Sequence, residues 1–146
     1  MAHGTGFLDD YLPYLLRRAD QTLSEAFYAV LIESGVARSE WRVLAVLEEL
    51  GPLSVLDLTD AALSPQPTVT HAVRRLEARG LVTRTAGATD RRQRIVAVTE
   101  EGAALTRRLI SAARRLETAA LADLGGREDL VEPLRRLISS LEGARA

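Results

Sequence analysis

Apolar residues recur at three- and four-residue spacing along most of this chain, and the rhythm changes only once. From Pro13, the residues Leu15, Leu16, Ala19, Leu23, Ala26, Phe27, Val30 and Leu31 share one face, which predicts a long helix that Gly35 ends. Pro13 fits in its first turn, where a missing N–H costs little. Residues 1–6, MAHGTG, read as a frayed end. Ser39 is the expected N-cap of a second helix that Glu40 begins, with Trp41, Leu44, Ala45, Leu47 and Leu50 as its apolar face before Gly51-Pro52 stops it.

Two short helices then follow closely. Ser54 can cap the first, with Asp57 in capping-box position and Leu56, Leu58, Ala61 and Ala62 inside. Ser64-Pro65 opens the second as a hydroxyl N-cap and a proline at the first helical position, and Gly80 lies just past its end. Two helices joined by a tight turn suggest a helix-turn-helix. After Gly80 the period switches to two: residues 81–85 and 95–99 are short and β-branched, and Gly87, Thr89 and Asp90 between them supply turn chemistry, so the pair reads as a hairpin. Thr99 can cap a further helix with Glu100 and Glu101 in its first turn, favourable against the helix dipole, running to Gly125-Gly126. A last helix carries Leu130, Leu134, Leu137, Ile138 and Leu141 on one stripe. Pro133 makes it either start late or kink.

Composition narrows the class. A chain of 146 residues, 47% hydrophobic and 27% charged, suits one globular domain with a substantial core. Cysteine is absent, which removes disulfides and thiolate chemistry. No apolar run approaches the roughly 18 residues of a membrane span and no export signal is apparent, so a cytoplasmic protein with no membrane partner is expected.

Charge changes the picture more. Every basic side chain is arginine, and between Ser64 and Thr99 seven arginines face two acids, an excess of five positive charges in a chain of net charge −1. A basic segment in an otherwise acidic chain is the footprint of a polyanion partner, although a solvated surface gives the same count. On the helix over 65–79, Val69, Ala72, Val73 and Leu76 form a core face. Gln66, Thr70, His71, Arg74 and Arg75 lie opposite, with Thr68 near the N-terminal edge. Such side chains can address base edges and phosphates in a major groove, where arginine binds guanine bidentately. The hairpin tip carries Arg91, Arg92 and Arg94 beyond Arg84, and could reach the neighbouring minor groove. Asp90 is expected to brace Arg92 through a carboxylate–guanidinium pair, leaving Arg92 as the reader. His71 has only the tail residue His3 as a second histidine and no acid cluster around it, so a polar surface contact is expected and no metal or cofactor is implied.

At this point the chain resembles the MarR family of winged helix-turn-helix transcription regulators, over roughly Tyr11 to Leu141. The segments that carry the resemblance are YLLRRA (14–19), WRVLAVL (41–47), TVTHAVRRLEARGLVTR (68–84) and DRRQRIVAVTEEG (90–102). It implies a mainly α fold with a small β-hairpin wing. N- and C-terminal dimerisation helices (about 7–34 and 100–142) would flank a DNA-binding lobe (about 39–99), all in one domain over 1–146. It further implies a homodimer on near-palindromic double-stranded DNA, with helix 65–79 in the major groove and wing 84–95 in the minor groove. The family's Asp-x-Arg pattern falls on Asp90 and Arg92. Trp41 falls at a packing position. His71 stands where relatives commonly have arginine, and Arg74 where they often have an acid, so no relative's operator transfers. Peroxide sensing is excluded by the missing cysteine. Family members often release DNA when a small aromatic or phenolic compound binds between the dimer helices and the winged lobe, and Tyr11, Tyr14 and Arg17 are the residues placed to line such a site.

The last helix's leucine stripe, without an evident internal partner, agrees with a dimer. An enzyme is the first rival; no nucleophile–base pair, metal cluster or phosphate-binding glycine loop supports it. A winged-helix protein-interaction module and a DNA-binding dimer without ligand control are the remaining rivals.

Overall fold

The computed structural model describes residues 6–146; the expected loose tail, including His3, lies outside the described residues apart from Gly6. Seven helices and a three-stranded antiparallel sheet follow in the order α1 (Phe7–Asp10), α2 (Leu12–Glu33), α3 (Arg38–Leu50), β1 (Leu53–Ser54), α4 (Val55–Ala61), α5 (Gln66–Ala78), β2 (Val82–Ala86), β3 (Arg94–Val98), α6 (Glu100–Leu121) and α7 (Glu128–Gly143).

Helix boundaries follow local chemistry, with three departures from expectation. The first helix is broken. Pro13 has no N–H for the carbonyl four residues back, so the chain leaves α1 at Tyr11, in extended conformation, and restarts at Leu12. Helix α3 begins at Arg38 rather than at Glu40. Its N-cap is Ala37, which has no side-chain acceptor; Glu40, in the third helical position, takes the Ala37 N–H at 3.1 Å, and Ser39 lies inside the helix. Helix α5 has Pro65, not Ser64, as its N-cap. The Ser64 hydroxyl instead donates to Ala62 O at 3.1 Å and accepts from Arg42 Nη1 at 3.3 Å. Ser54 does cap α4, accepting the Asp57 N–H at 3.1 Å.

The chain divides into two compact units, one of residues 24–112 and one of residues 6–23 with 113–146. In the first, Val43, Leu44 and Leu47 of α3 meet Leu58 and Ala62 beside α4, the Val69, Ala72, Val73 and Leu76 face of α5, and Leu81, Val82 and Val96 of the wing base. Fully burying a Val or Leu side chain is worth roughly 1.5–3 kcal/mol, so this cluster dominates the unit's stability. Trp41 stands edge-on to Phe27 with ring centroids 4.9 Å apart, the packing role expected of it.

The hairpin is as the sequence indicates, with Val82 opposite Val98 and Ala86 opposite Arg94. It also has a third strand: Leu53 pairs with Val96 and Ser54 with Ile95, so β3 is the centre of the sheet. The wing is thereby bonded to the start of α4. At its base Thr99 donates its hydroxyl to Gly80 O at 2.7 Å and accepts the Gly102 N–H at 3.1 Å, capping α6. Gly102 is buried, and any Cβ there would collide with the Leu81 carbonyl.

In the second unit no described residue is buried. Arg127 ties the start of α7 to α6, its Nε 2.6 Å from Glu117 Oε1. Helix α7 starts at Glu128, ahead of Pro133, so it does not start late: the proline sits inside the helix and leaves the Asp129 carbonyl without its N–H. Leu130, Leu134, Ile138 and Leu141 are exposed along α7, as are Phe7, Leu8, Leu12 and Leu15 on α1 and α2. Leu137, which the leucine spacing places in that stripe, is half-buried.

Candidate nucleic-acid interface

Helix α5 is seated by its apolar face, which leaves Gln66, Thr68, His71 and Arg74 exposed and Thr70 partly so. Gln66, Thr70, His71 and Arg74, with Pro67, line an open groove of about 380 Å³. A second cleft of about 290 Å³ is lined by Ser54, Val55 and Leu56, by Gln66, and by Asp90, Arg92, Gln93 and Arg94 of the wing tip. Gln66 belongs to both. The exposed side of α5 and the arginine-bearing tip are thus brought together around one residue.

The tip is shaped by backbone bonds. Gly87 donates its N–H to Gln93 O at 3.0 Å, and Gln93 donates to Asp90 O at 3.1 Å. Gly87 is buried under the turn; a Cβ there would stand 2.5 Å from Asp90 O. Asp90 acts differently from the expected brace. Its Oδ1 accepts the backbone N–H of Arg92 at 2.9 Å, a side-chain-closed turn, so it fixes the path of the chain instead of gripping the Arg92 guanidinium. Arg94 donates from Nη1 to Arg91 O at 3.2 Å. Arg91 and Arg92 are exposed.

Two of the arginines assigned to DNA from sequence are paired with carboxylates of the protein itself. Arg84 is half-buried and chelates Glu77 of α5, with Nε 3.2 Å from each carboxylate oxygen and Nη2 2.9 Å from Oε1. Hydrogen bonds from Arg84 are the largest influence on the Glu77 carboxyl and hold it below its ordinary value, against an opposing desolvation effect; the same bonds raise Arg84. Arg75 is turned to Glu40, with Nε 2.9 Å from Oε1. Glu40 also meets Arg79, whose Nη1 is 3.5 Å from Oε2 and 2.7 Å from Gly35 O. Neither Glu40 nor Arg79 stood out as functional in the sequence, where Glu40 looks like an ordinary first-turn acid. Their only trace is the spacing of Arg75 and Arg79, which puts both on one flank of α5.

The residues expected at an effector site lie in the other unit. Tyr11 stacks on Phe7 with centroids 4.6 Å apart; Tyr14 has Arg18 above its ring at 5.9 Å, and Arg17 is exposed. Within the unit of residues 24–112 the structure has an unforeseen groove of about 290 Å³, where Val30, Leu105 and Leu109 sit beside Ser34 and Arg108. Among the described residues no group of three or more His, Cys, Asp or Glu could hold a metal, and no helix is long and apolar enough to cross a membrane.

Comparison with known proteins bears on both units. The MarR family model matches residues 34–93, from the end of α2 through the wing tip. The chain is 34% identical over 133 residues to the HTH-type transcriptional repressor NicR of Pseudomonas putida, covering 90% of this chain and 84% of that protein. Among solved structures, the MarR family regulator SPO1453 of Silicibacter pomeroyi superposes with a TM-score of 0.79 at 31% identity, covering 93% of this chain and 98% of that one. NadR in complex with 4-hydroxyphenylacetate gives 0.75 at 29% identity, covering 86% and 88%. BpsR of Bordetella bronchiseptica, whose DNA binding is regulated by 6-hydroxynicotinic acid, gives 0.77 at 25% identity, covering 95% and 98%. A likeness that runs through the terminal helices as well as the winged lobe, in proteins that are regulators and not enzymes, matches what the elements themselves suggested: this chain belongs to the MarR family of winged helix-turn-helix transcriptional regulators.

Proposed function

We propose that the protein is a sequence-specific repressor that binds double-stranded DNA as a homodimer in the cytoplasm and lets go when a small aromatic acid binds. The observation that carries the DNA reading is the position of Gln66, common to the α5 groove and to the cleft under the wing tip. One surface thus offers amide, hydroxyl, imidazole and guanidinium groups from α5 and arginines from the tip. Helix α5 would enter a major groove with Gln66, Thr68, Thr70, His71 and Arg74 towards the bases, while Arg91, Arg92 and Arg94 reach the minor groove and its phosphates. Arg75 and Arg84 would act through Glu40 and Glu77.

The exposed apolar residues of α1, α2 and α7 support the homodimer, because a patch of this kind marks an association surface. A two-fold dimer would place its α5 helices about 34–36 Å apart on a near-palindromic operator. The effector class rests on NadR and BpsR, whose ligands are a phenolic acid and a hydroxypyridine acid. Two places suit such a molecule: Tyr11, Tyr14 and Arg17 in one unit, and in the other the groove of Val30, Leu105 and Leu109 beside Arg108, which offers apolar walls and a cation.

The test is titration of the protein into its own upstream intergenic DNA at two salt concentrations, beside an unrelated duplex. Selective binding that weakens steeply with salt is expected, since neutralised phosphates release counterions. Equal, weak binding to both duplexes would overturn the operator assignment. An effector screen by the same titration should find an aromatic acid that lowers affinity.

A further inference from the structure

Helix α5 can discriminate bases only if it keeps one rotational setting, and its apolar seat does not fix that setting alone. Hydrophobic packing is strong but non-directional, so a helix seated by Val69, Ala72, Val73 and Leu76 still needs polar bonds to define its angle. On one flank Glu77 supplies such a bond to the wing. On the other the bond comes from Glu40, and its geometry is unusual for a surface helix. The Glu40 side chain is only 6% exposed, yet its carboxylate meets Arg75 on Oε1 and both the Ala37 N–H and Arg79 on Oε2. Arg79 then continues to the Gly35 carbonyl, in the turn where α2 hands over to α3. A buried carboxylate costs free energy unless it is fully paired, and in return its bonds are directional.

The pair it holds is telling. Arg75 and Arg79 sit one helical turn apart, directly after Arg74, and their side chains remain 46% and 41% exposed. Released from Glu40, two such guanidinium groups would bind phosphate without regard to sequence. We propose that Glu40 is a specificity-determining positioning residue, pinning the angle of α5 and withholding Arg75 and Arg79 from generic phosphate contact. This rests on the DNA-binding reading given above.

Glu40→Gln tests it, because glutamine keeps the size but presents an uncharged amide to two cationic donors. The variant should bind an unrelated duplex about tenfold more tightly, and its preference for the operator should drop by about tenfold or more. Its dependence of log affinity on log salt should steepen by about 0.9 for each guanidinium that reaches a phosphate. Amide hydrogens of α5 should exchange faster than in the parent. The double variant Arg75→Ala/Arg79→Ala removes the pin and the cations together, so its preference should fall with no gain on the unrelated duplex. A folded Glu40→Gln protein with unchanged preference and unchanged salt slope overturns the proposal. If the parent itself shows no preference among duplexes, the DNA reading has failed, and hydrogen exchange decides the pin by itself: faster exchange across α5 in either variant upholds it, and unchanged exchange overturns it.

Discussion

Arg84 grips Glu77 through both carboxylate oxygens, with Nε 3.2 Å from each and Nη2 2.9 Å from Oε1, so the base of the wing is bonded to the C-terminal half of α5. The angle between the tip and the helix is therefore set in part by an ion pair that pH can remove. The Glu77 carboxyl is held below its ordinary value of 4.5, chiefly by the Arg84 hydrogen bonds. A carboxyl lowered in the folded state stabilises fully above its unfolded value, and the contribution is lost as pH falls through the folded value. Glu77→Gln should therefore melt slightly below the parent at pH 7, by a small margin because the pair is solvent-accessible. The two melting temperatures should converge as pH falls through the lowered Glu77 value and the carboxylate takes up its proton. A margin that persists into acid would show that the pair is not its source.

Arg92→Ala should lower operator affinity by about tenfold or more while leaving the melting temperature unchanged. The side chain is exposed, and its turn is held by its backbone N–H, which alanine keeps. Fluorescence anisotropy with a labelled operator, beside a thermal scan, checks both halves.

Gly102→Ala should destabilise the winged lobe by about 1–3 kcal/mol, the usual range for an overpacked site. The added methyl has nowhere to go between the Leu81 carbonyl and Val98, and neither can retreat without disturbing the Gly80–Thr99 bond. Urea unfolding would report the loss as a lower midpoint.

Ile138→Asp should dissociate the proposed dimer without unfolding the protomer. The side chain is 53% exposed in a single chain, so its replacement costs little until a partner covers it, when an unpaired carboxylate would be buried. Sedimentation of parent and variant over a range of concentrations gives the answer directly. Leu137, a member of the same leucine pattern, is a poorer probe because it is half-buried within its own chain.

The elements that sequence pattern finds here are those whose burial enforces a period. The Val69, Ala72, Val73 and Leu76 face of α5 is legible because each member must be apolar, and the hairpin because two β-branched runs flank a glycine-containing turn. Strand β1 escaped because two residues cannot display an alternation. Ser39 and Ser64 misled for a related reason: a serine can cap a helix, but whether it does depends on where the backbone turns extended, which here is at Ala37 and Pro65. At the interface, residue types were readable and their partners were not. Nothing local to Glu40 announces an arginine 35 positions later in the chain, and the Asp90–Arg92 spacing fits a guanidinium bridge as well as the backbone bond that forms.

The wing tip keeps its outline by means that leave the Arg91 and Arg92 side chains out of the work. Asp90 closes the turn on a main-chain N–H, and the absence of a side chain at Gly87 gives that turn room to fold under. Shape and lettering are thus separate at this loop. Positions 91 and 92 can be rewritten without redrawing the turn that presents them, so, if the proposed minor-groove contact holds, a descendant of this regulator could change it by single substitutions. For the same reason a designer could treat the tip as a socket, exchanging its reading residues while Gly87 and Asp90 stay in place.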